Sequence, residues 1–297
     1  MKRDAFGKFA PKGAKKVKTY YQPEQEKMVT LVNYILDQSG SMSSVKAQVL
    51  SGFSEYIQGL KQKLDNESKL LFSLSLFDSS GSYRGVRIMK PYVVTDINKV
   101  IPLDNSSYKP EGQTPLYDAI GKTVASVDEV IKDKGLKIHR ILTVIHTDGQ
   151  ENDSNEYTMD SIKKLIAEKE ATNHWSFVYI GASPTTWADS NRLGINKMNT
   201  MAYDPAKTTA MFGMAASSTM QYRSMDQTQT RAFFAAGEKI LGDGSHVKAA
   251  KRHEHLSSDG NTKYTATKWQ DGTWSCNCPG WSNRKSCKHI GGGVSAL

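Results

Sequence analysis

Cysteine is almost absent from this chain. The 297 residues hold three, Cys276, Cys278 and Cys287, all inside one twelve-residue window, and the other 285 positions have none. An odd, clustered count excludes a disulfide framework and points to a bound metal. Long apolar runs are also missing: no stretch approaches the roughly 20 residues needed to span a bilayer. The first 18 residues, MKRDAFGKFAPKGAKKVK, have charges but no apolar core, which excludes a secretory signal. They are also lysine-rich and nearly free of serine, unlike an organellar transit peptide. A cytoplasmic protein without membrane contact is expected.

Acidic residues are scarce at the two ends. Residues 1–18 carry seven basic groups against one acidic, and residues 245–297 carry eight against three, while residues 19–244 have 24 against 26. The net charge of +9 therefore belongs to the termini. Such a distribution suits contact with nucleic acid or an acidic partner.

What is present from Lys27 onward is an alternation of apolar runs and helical periods. Met28 to Leu36 is a buried strand. Val45, Val49, Phe53, Ile57, Leu60 and Leu64 then recur at helical spacing, in a helix started by Ser43 or Ser44. Leu70 to Phe77 and Val86 to Val94 read as two strands joined through a Ser-Gly turn. Leu116, Ile120, Val124, Val127 and Ile131 form a second helical stripe, and Ile138 to Ile145 reads as the best buried strand. Ile162, Leu165 and Ile166 mark a third helix, and Trp175 to Ile180 another strand. A short helix near Trp187, a strand at Met198 to Ala202 and a helix from Ala206 towards Arg223 follow. Apolar strands alternating with helices predict an α/β fold, a doubly wound and mostly parallel Rossmann-like sheet, with an antiparallel edge near residue 80.

Asp37-Gln38-Ser39-Gly40-Ser41 leaves the first strand with a carboxylate and two hydroxyls at alternate positions. In an open α/β sheet, ligands bind beyond the carboxyl ends of the strands. The second acidic strand end is Thr147-Asp148-Gly149, and the loop Glu111-Gly-Gln-Thr-Pro-Leu-Tyr-Asp118 offers the Thr114 hydroxyl. Asp37, Ser39, Ser41, Thr114 and Asp148 supply five oxygens and two negative charges, which suit a small hard cation with positions left over for water or a partner carboxylate. No base is aimed at a bound water, so binding is expected rather than hydrolysis. DxSxS after the first strand, threonine in a G-x-T-P-L loop and T-D-G after a buried strand resemble the von Willebrand factor A (vWA) domain and its metal-ion-dependent adhesion site. The resemblance covers residues 27–223. It implies that Ser39, Ser41 and Thr114 ligate Mg²⁺ or Mn²⁺, with Asp37 and Asp148 binding directly or through water, and that the free position captures an acidic side chain of a protein partner.

Three other signals have simpler readings. Asp78-Ser-Ser-Gly-Ser82 also fits DxSxS, yet Tyr83 onward continues as a strand, so a hairpin turn is expected. Gly121-Lys122-Thr123 resembles a phosphate loop but lacks its first glycine and lies mid-helix. His139 and His146 flank a core strand and are expected to be structural, and Glu151 and Asp153 to lie in a solvated loop.

Residues 224–260 are expected to be a helical extension and linker, and residues 261–297 a separate small unit. Lys263 to Trp269 and Thr273 to Cys278, joined at Asp271-Gly272, read as a β-hairpin. Cys276-x-Cys278 and Cys287-x-His289 provide four soft ligands, enough to close a tetrahedral structural zinc site. CxC followed by CxH after a hairpin resembles the SWIM zinc finger, over about Tyr264 to Ile290, although Gly291-Gly-Gly293 stands where that family continues a helix. The resemblance implies contact with DNA or with protein. Tyr264, Trp274 and Trp281 suit a miniature core or a stacking surface for single-stranded nucleic acid.

The organisation is thus a basic flexible arm (1–26), a vWA-like domain (27–223), a linker and a finger. The expected function is that of a non-enzymatic adaptor. It binds a protein with an exposed Asp or Glu through Mg²⁺, and DNA, RNA or a second protein through the finger and basic arm. The alternative is a nucleic-acid-binding regulator with a vWA scaffold. Catalysis ranks last, because no nucleophile–base pair is present.

Overall fold

The computed structural model describes residues 27–64, 68–79, 85–148, 150–181, 185–202, 208–225, 238–240, 246–256, 263–269 and 274–276. The first strand, β1 (Met28–Asp37), leads through a tight 3-10 turn (Gly40–Val45) into α1 (Lys46–Gln62). β2 (Ser68–Asp78) and β3 (Arg87–Asp96) follow, then α2 (Leu116–Asp133), β4 (Arg140–Thr147) and α3 (Met159–Ala171). β5 (Trp175–Gly181), the short α4 (Thr186–Arg192), β6 (Thr200–Ala202) and α5 (Thr208–Ser224) complete this unit.

The six strands form one sheet in the order β3-β2-β1-β4-β5-β6. Every neighbouring pair is parallel except β2 with β3. This is the α/β sheet with an antiparallel edge that the apolar pattern predicts. Asp78 pairs with Arg87 across that edge, in keeping with the expected hairpin, whose turn at 80–84 lies outside the described residues.

Alternation along the strands divides the core in two. Val32, Tyr34 and Leu36 face α1 and α5, where Phe53, Tyr56, Ile57, Phe212 and Ala216 pack. Leu31 and Ile35 face α2 and α3, with Ile120, Val124, Ile162 and Ile166. Leu64, expected to close the α1 stripe, lies beyond the helix end at Gln62. The α-helix also begins later than Ser43 or Ser44, at Lys46, because Gly40 to Val45 are wound into the tighter turn first.

β1 is where the chain reverses direction across the sheet. It passes to β2 and β3 on one side and returns to β4 on the other. The carboxyl ends of β1 and β4 therefore flank the topological switch point, where open α/β sheets leave a crevice.

A second sheet has the order β10-β9-β8-β7, with β7 (Glu238–Ile240), β8 (His246–Leu256), β9 (Lys263–Trp269) and β10 (Trp274–Cys276), all antiparallel. β9 and β10 pair as the two arms of the expected hairpin, and the turn residues between them lie outside the described residues. The 224–260 stretch needs correction. Where a helical extension was expected, the described residues form β7 and β8. Lys248-Ala-Ala-Lys-Arg is a good helix former, but β9 offers a ladder of backbone partners from Ala249 to Leu256, and tertiary pairing overrides local propensity.

Candidate metal centre

Four of the five expected oxygen donors meet at the switch point. Asp37 ends β1 with its side chain fully buried. The Ser39 backbone N–H donates to its Oδ1 at 2.7 Å, and the Thr147 hydroxyl donates to Oδ2 at 2.6 Å. Ser39 Oγ lies 3.1 Å from Ser41 Oγ, and the Ser41 hydroxyl donates to Asp148 Oδ1 at 2.8 Å. β1 and β4 are paired in parallel, so these strand ends stand side by side.

Thr114 lies one loop away. Its hydroxyl makes no hydrogen bond to the other four donors, but its loop is fastened to theirs. The Gly40 N–H donates to Gly112 O at 3.0 Å and the Glu111 N–H to Gln38 O at 2.9 Å. A Cβ on Gly40 would stand 3.3 Å from Gly112 O, so glycine permits the close approach of the two loops. Thr114 itself is buried, with its N–H donating to Asn152 Oδ1 at 2.8 Å and its carbonyl accepting from Asn152 N at 3.2 Å.

The electrostatics favour a cation. Burial is the main cause that pushes the Asp37 carboxyl up to about 6, and the neighbouring Asp148 charge adds to it, against the lowering effect of its hydrogen bonds. Asp148 is also raised, chiefly by burial. Among the described residues neither carboxylate has an ion-pair partner. A buried carboxylate beside a second one is costly unless a positive charge compensates it.

The spacing also fits an octahedral ion. Ligand oxygens at about 2.1 Å from Mg²⁺ on adjacent vertices stand roughly 3 Å apart. The Ser39–Ser41 and Ser41–Asp148 separations, 3.1 and 2.8 Å, are hydrogen-bond distances and are also compatible with that edge length. Among the described residues no group of three or more His, Cys, Asp or Glu side chains gathers as a metal cluster. The gathered donors are three hydroxyls, counting Thr114 one loop away, and two carboxylates, oxygen chemistry of the kind hard ions prefer.

No protein-family model matches the chain, and no curated protein does. Among solved structures it is similar to proximal thread matrix protein 1 from the mussel byssus, at 15% identity over 64% of this chain and 46% of that one, with a TM-score of 0.43. A von Willebrand factor type A protein from Catenulispora acidiphila is similar at 13% identity, over 72% of this chain and 44% of that one, with a TM-score of 0.42. Manganese-loaded TRAP protein of Plasmodium vivax shares 16% identity over 62% and 71% of the two chains, with a TM-score of 0.40. The chain thus spans less than half the length of the first two.

Two residues that hold the centre, Tyr108 and Asn152, have no signature in the motifs. Tyr108, fully buried, donates its hydroxyl to the Asp37 carbonyl at 2.6 Å. It is the lone aromatic in the polar run Asp104-Asn-Ser-Ser-Tyr-Lys-Pro, which is the one signal that marks it. Thr147 and Asn152 orient Asp37 and Thr114 as described. Glu151 departs from the expected solvated role. Its carboxylate accepts from the N–H groups of Tyr117, Asp153 and Ser154 and from the Ser154 hydroxyl, so it shapes the loop after β4 from within. Asp118 does the same for Asn155, Glu156 and Tyr157.

The histidines behave as expected. His139 Nδ1 accepts from the Val29 N–H, and His146 is buried against the Tyr34 hydroxyl at 2.9 Å. Gly121-Lys122-Thr123 lies inside α2, where Lys122 pairs with Glu156. Of the four expected zinc ligands, Cys276 is buried at the end of β10, and Cys278, Cys287 and His289 lie outside the described residues, as do the basic arm and Trp281. No described helix is long and apolar enough to cross a membrane.

Proposed function

We propose that the switch-point centre is a metal-ion-dependent adhesion site that grips an acidic side chain of a protein partner. The observation that carries this reading is the chain of oxygens from Ser39 Oγ through Ser41 Oγ to Asp148 Oδ1, at octahedral-edge spacing beside the uncompensated Asp37. Ser39, Ser41 and Thr114 would hold Mg²⁺ or Mn²⁺, with Asp37 and Asp148 directly or through water. Two carboxylates balance a divalent ion, so a partner's Asp or Glu is taken up where Asp37 and Asp148 act through water and leave an inner position of the ion open to it. The chain then works as an adaptor. Its zinc module, with Cys276, Cys278, Cys287 and His289 as ligands, and its basic arm serve a second contact with DNA, RNA or protein.

The test is capture of a partner from the cell of origin with immobilised protein, in Mg²⁺ and in EDTA. A bound protein that is lost in EDTA and in both Ser39→Ala and Ser41→Ala supports the reading. Equal capture under all these conditions would sink it. Nucleic acid retained in Ser39→Ala but lost in Cys287→Ser would assign the second contact to the finger.

A further inference from the structure

The aspartate of the second DxSxS match has a task at the first. Asp78 ends β2 with its side chain completely buried, and a buried carboxylate needs a compensating charge. Arg87 supplies it in a two-pronged pair, Nε to Oδ1 at 2.7 Å and Nη2 to Oδ2 at 2.6 Å. The remaining acceptor capacity of Oδ2 takes the Gln38 amide, Nε2 to Oδ2 at 3.1 Å. Gln38 is the second residue of the metal loop itself. Its backbone N–H donates to Phe77 O at 2.8 Å, and its side-chain Oε1 accepts from the Lys109 N–H at 3.2 Å.

The same guanidinium reaches a third segment. Arg87 Nη2 also donates to Glu111, an exposed residue three positions before Thr114. Beside it, Ser79 and Gln113 exchange backbone hydrogen bonds at 3.2 and 3.3 Å. Arg87 therefore ties the end of β2 to the Thr114 loop, and its partner Asp78 carries the tie on to Gln38 of the Asp37–Ser41 loop. Lysine could not replace Arg87, since a point charge cannot hold two carboxylates with a fixed fork.

We propose that Arg87, with Asp78 and Glu111, is a positioning clamp that sets how far the Thr114 hydroxyl stands from Ser39 and Ser41, and so tunes affinity for the cation. The clamp rests on the metal reading above. Its ligand-side consequence is specific: the effect passes through Thr114 and should vanish when that hydroxyl is absent.

Glu111→Gln is the informative variant, because Glu111 is exposed and its loss leaves the buried Asp78–Arg87 pair intact. Mn²⁺ dissociation constants would be measured by electron paramagnetic resonance for the full chain, Glu111→Gln, Thr114→Ala and the double variant, with thermal unfolding in EDTA alongside. The expected result is about threefold to tenfold weaker Mn²⁺ binding in Glu111→Gln, an unchanged melting temperature in EDTA, and no further loss when Glu111→Gln is added to Thr114→Ala. Arg87→Lys should weaken Mn²⁺ binding in the same direction. Unaltered affinity in Glu111→Gln overturns the clamp. So does an equal loss in both backgrounds, which would reveal only a distant charge effect. Failure of the unaltered chain to bind Mn²⁺ refutes the metal reading, and the clamp with it.

Discussion

Burial makes the position of Asp37 hostile to a negative charge, and Asp148 makes it more so, yet two donors hold the carboxylate in place as an acceptor. The conflict has a measurable sign. In the metal-free protein the folded-state value of about 6 stands above the ordinary 3.8, so the native state binds this proton more tightly than the unfolded chain. That contribution to stability is fully present below about pH 4 and is lost as pH rises through 6. A cation reverses the balance, because it competes with the proton for the same oxygens. Mg²⁺ at about a hundred times its dissociation constant should add about 2.7 kcal/mol at pH 7.5. Thermal melts in Mg²⁺ and in EDTA should therefore diverge at pH 7.5 and converge at pH 5. Divergence that persists at pH 5 would count against Asp37 as a member of the site.

His146 titrates on different terms. Burial pushes its imidazole down to about 3, so the ring is neutral over the physiological range, with Nδ1 against the Tyr34 hydroxyl. Its chemical shifts in NMR should not change between pH 7 and pH 5. The structural role of His146 was legible because a single histidine inside an apolar strand has no second ligand beside it. Tyr108 and Asn152 were not legible, since each acts across more than 35 positions of sequence on a backbone atom, and no motif encodes a backbone partner.

At the scale of elements, period and burial agree for the central strands β1, β2, β4 and β5, which are apolar enough to need cover from both sides, while the edge strand β3 is only partly covered. Helix contacts are less visible. α1 and α5 meet where a Cβ on Gly59 would stand 2.8 Å from Ala216 Cβ. Gly59→Ala should force the helices apart at a cost of about 1–3 kcal/mol, read as a lower denaturation midpoint in urea with an unchanged slope. Its metal affinity should hold, since the site lies on loops at the strand ends. β8 marks the opposite failure of sequence reading. Its Lys-Ala-Ala-Lys-Arg run has no strand-like alternation, and only the neighbouring β9 makes it a strand.

At the scale of the whole molecule, two metals of different character are expected in two places. The oxygen centre should exchange Mg²⁺ freely, whereas four soft ligands should retain zinc. Elemental analysis after dialysis without chelator should find one zinc per chain and little magnesium. Cys287→Ser should lose the zinc and keep the Mg²⁺-dependent gain in melting temperature. Loss of both together would show that the two sites are one folding unit.

The sequence by itself determined the α/β class, the strand that ends in Asp37, the loop that carries Thr114 and the acidic end of β4. These are local properties, written in apolar periods and in short polar motifs that follow them. Only the tertiary structure decided which hydroxyls and carboxylates stand within hydrogen-bond distance, that Asp78 is buried against Arg87 and Gln38, and that Glu151 organises a loop instead of meeting solvent. The reason is physical: a hydrogen bond or an ion pair depends on distances of about 3 Å, and parallel pairing of β1 with β4 brings together residues that lie more than a hundred positions apart.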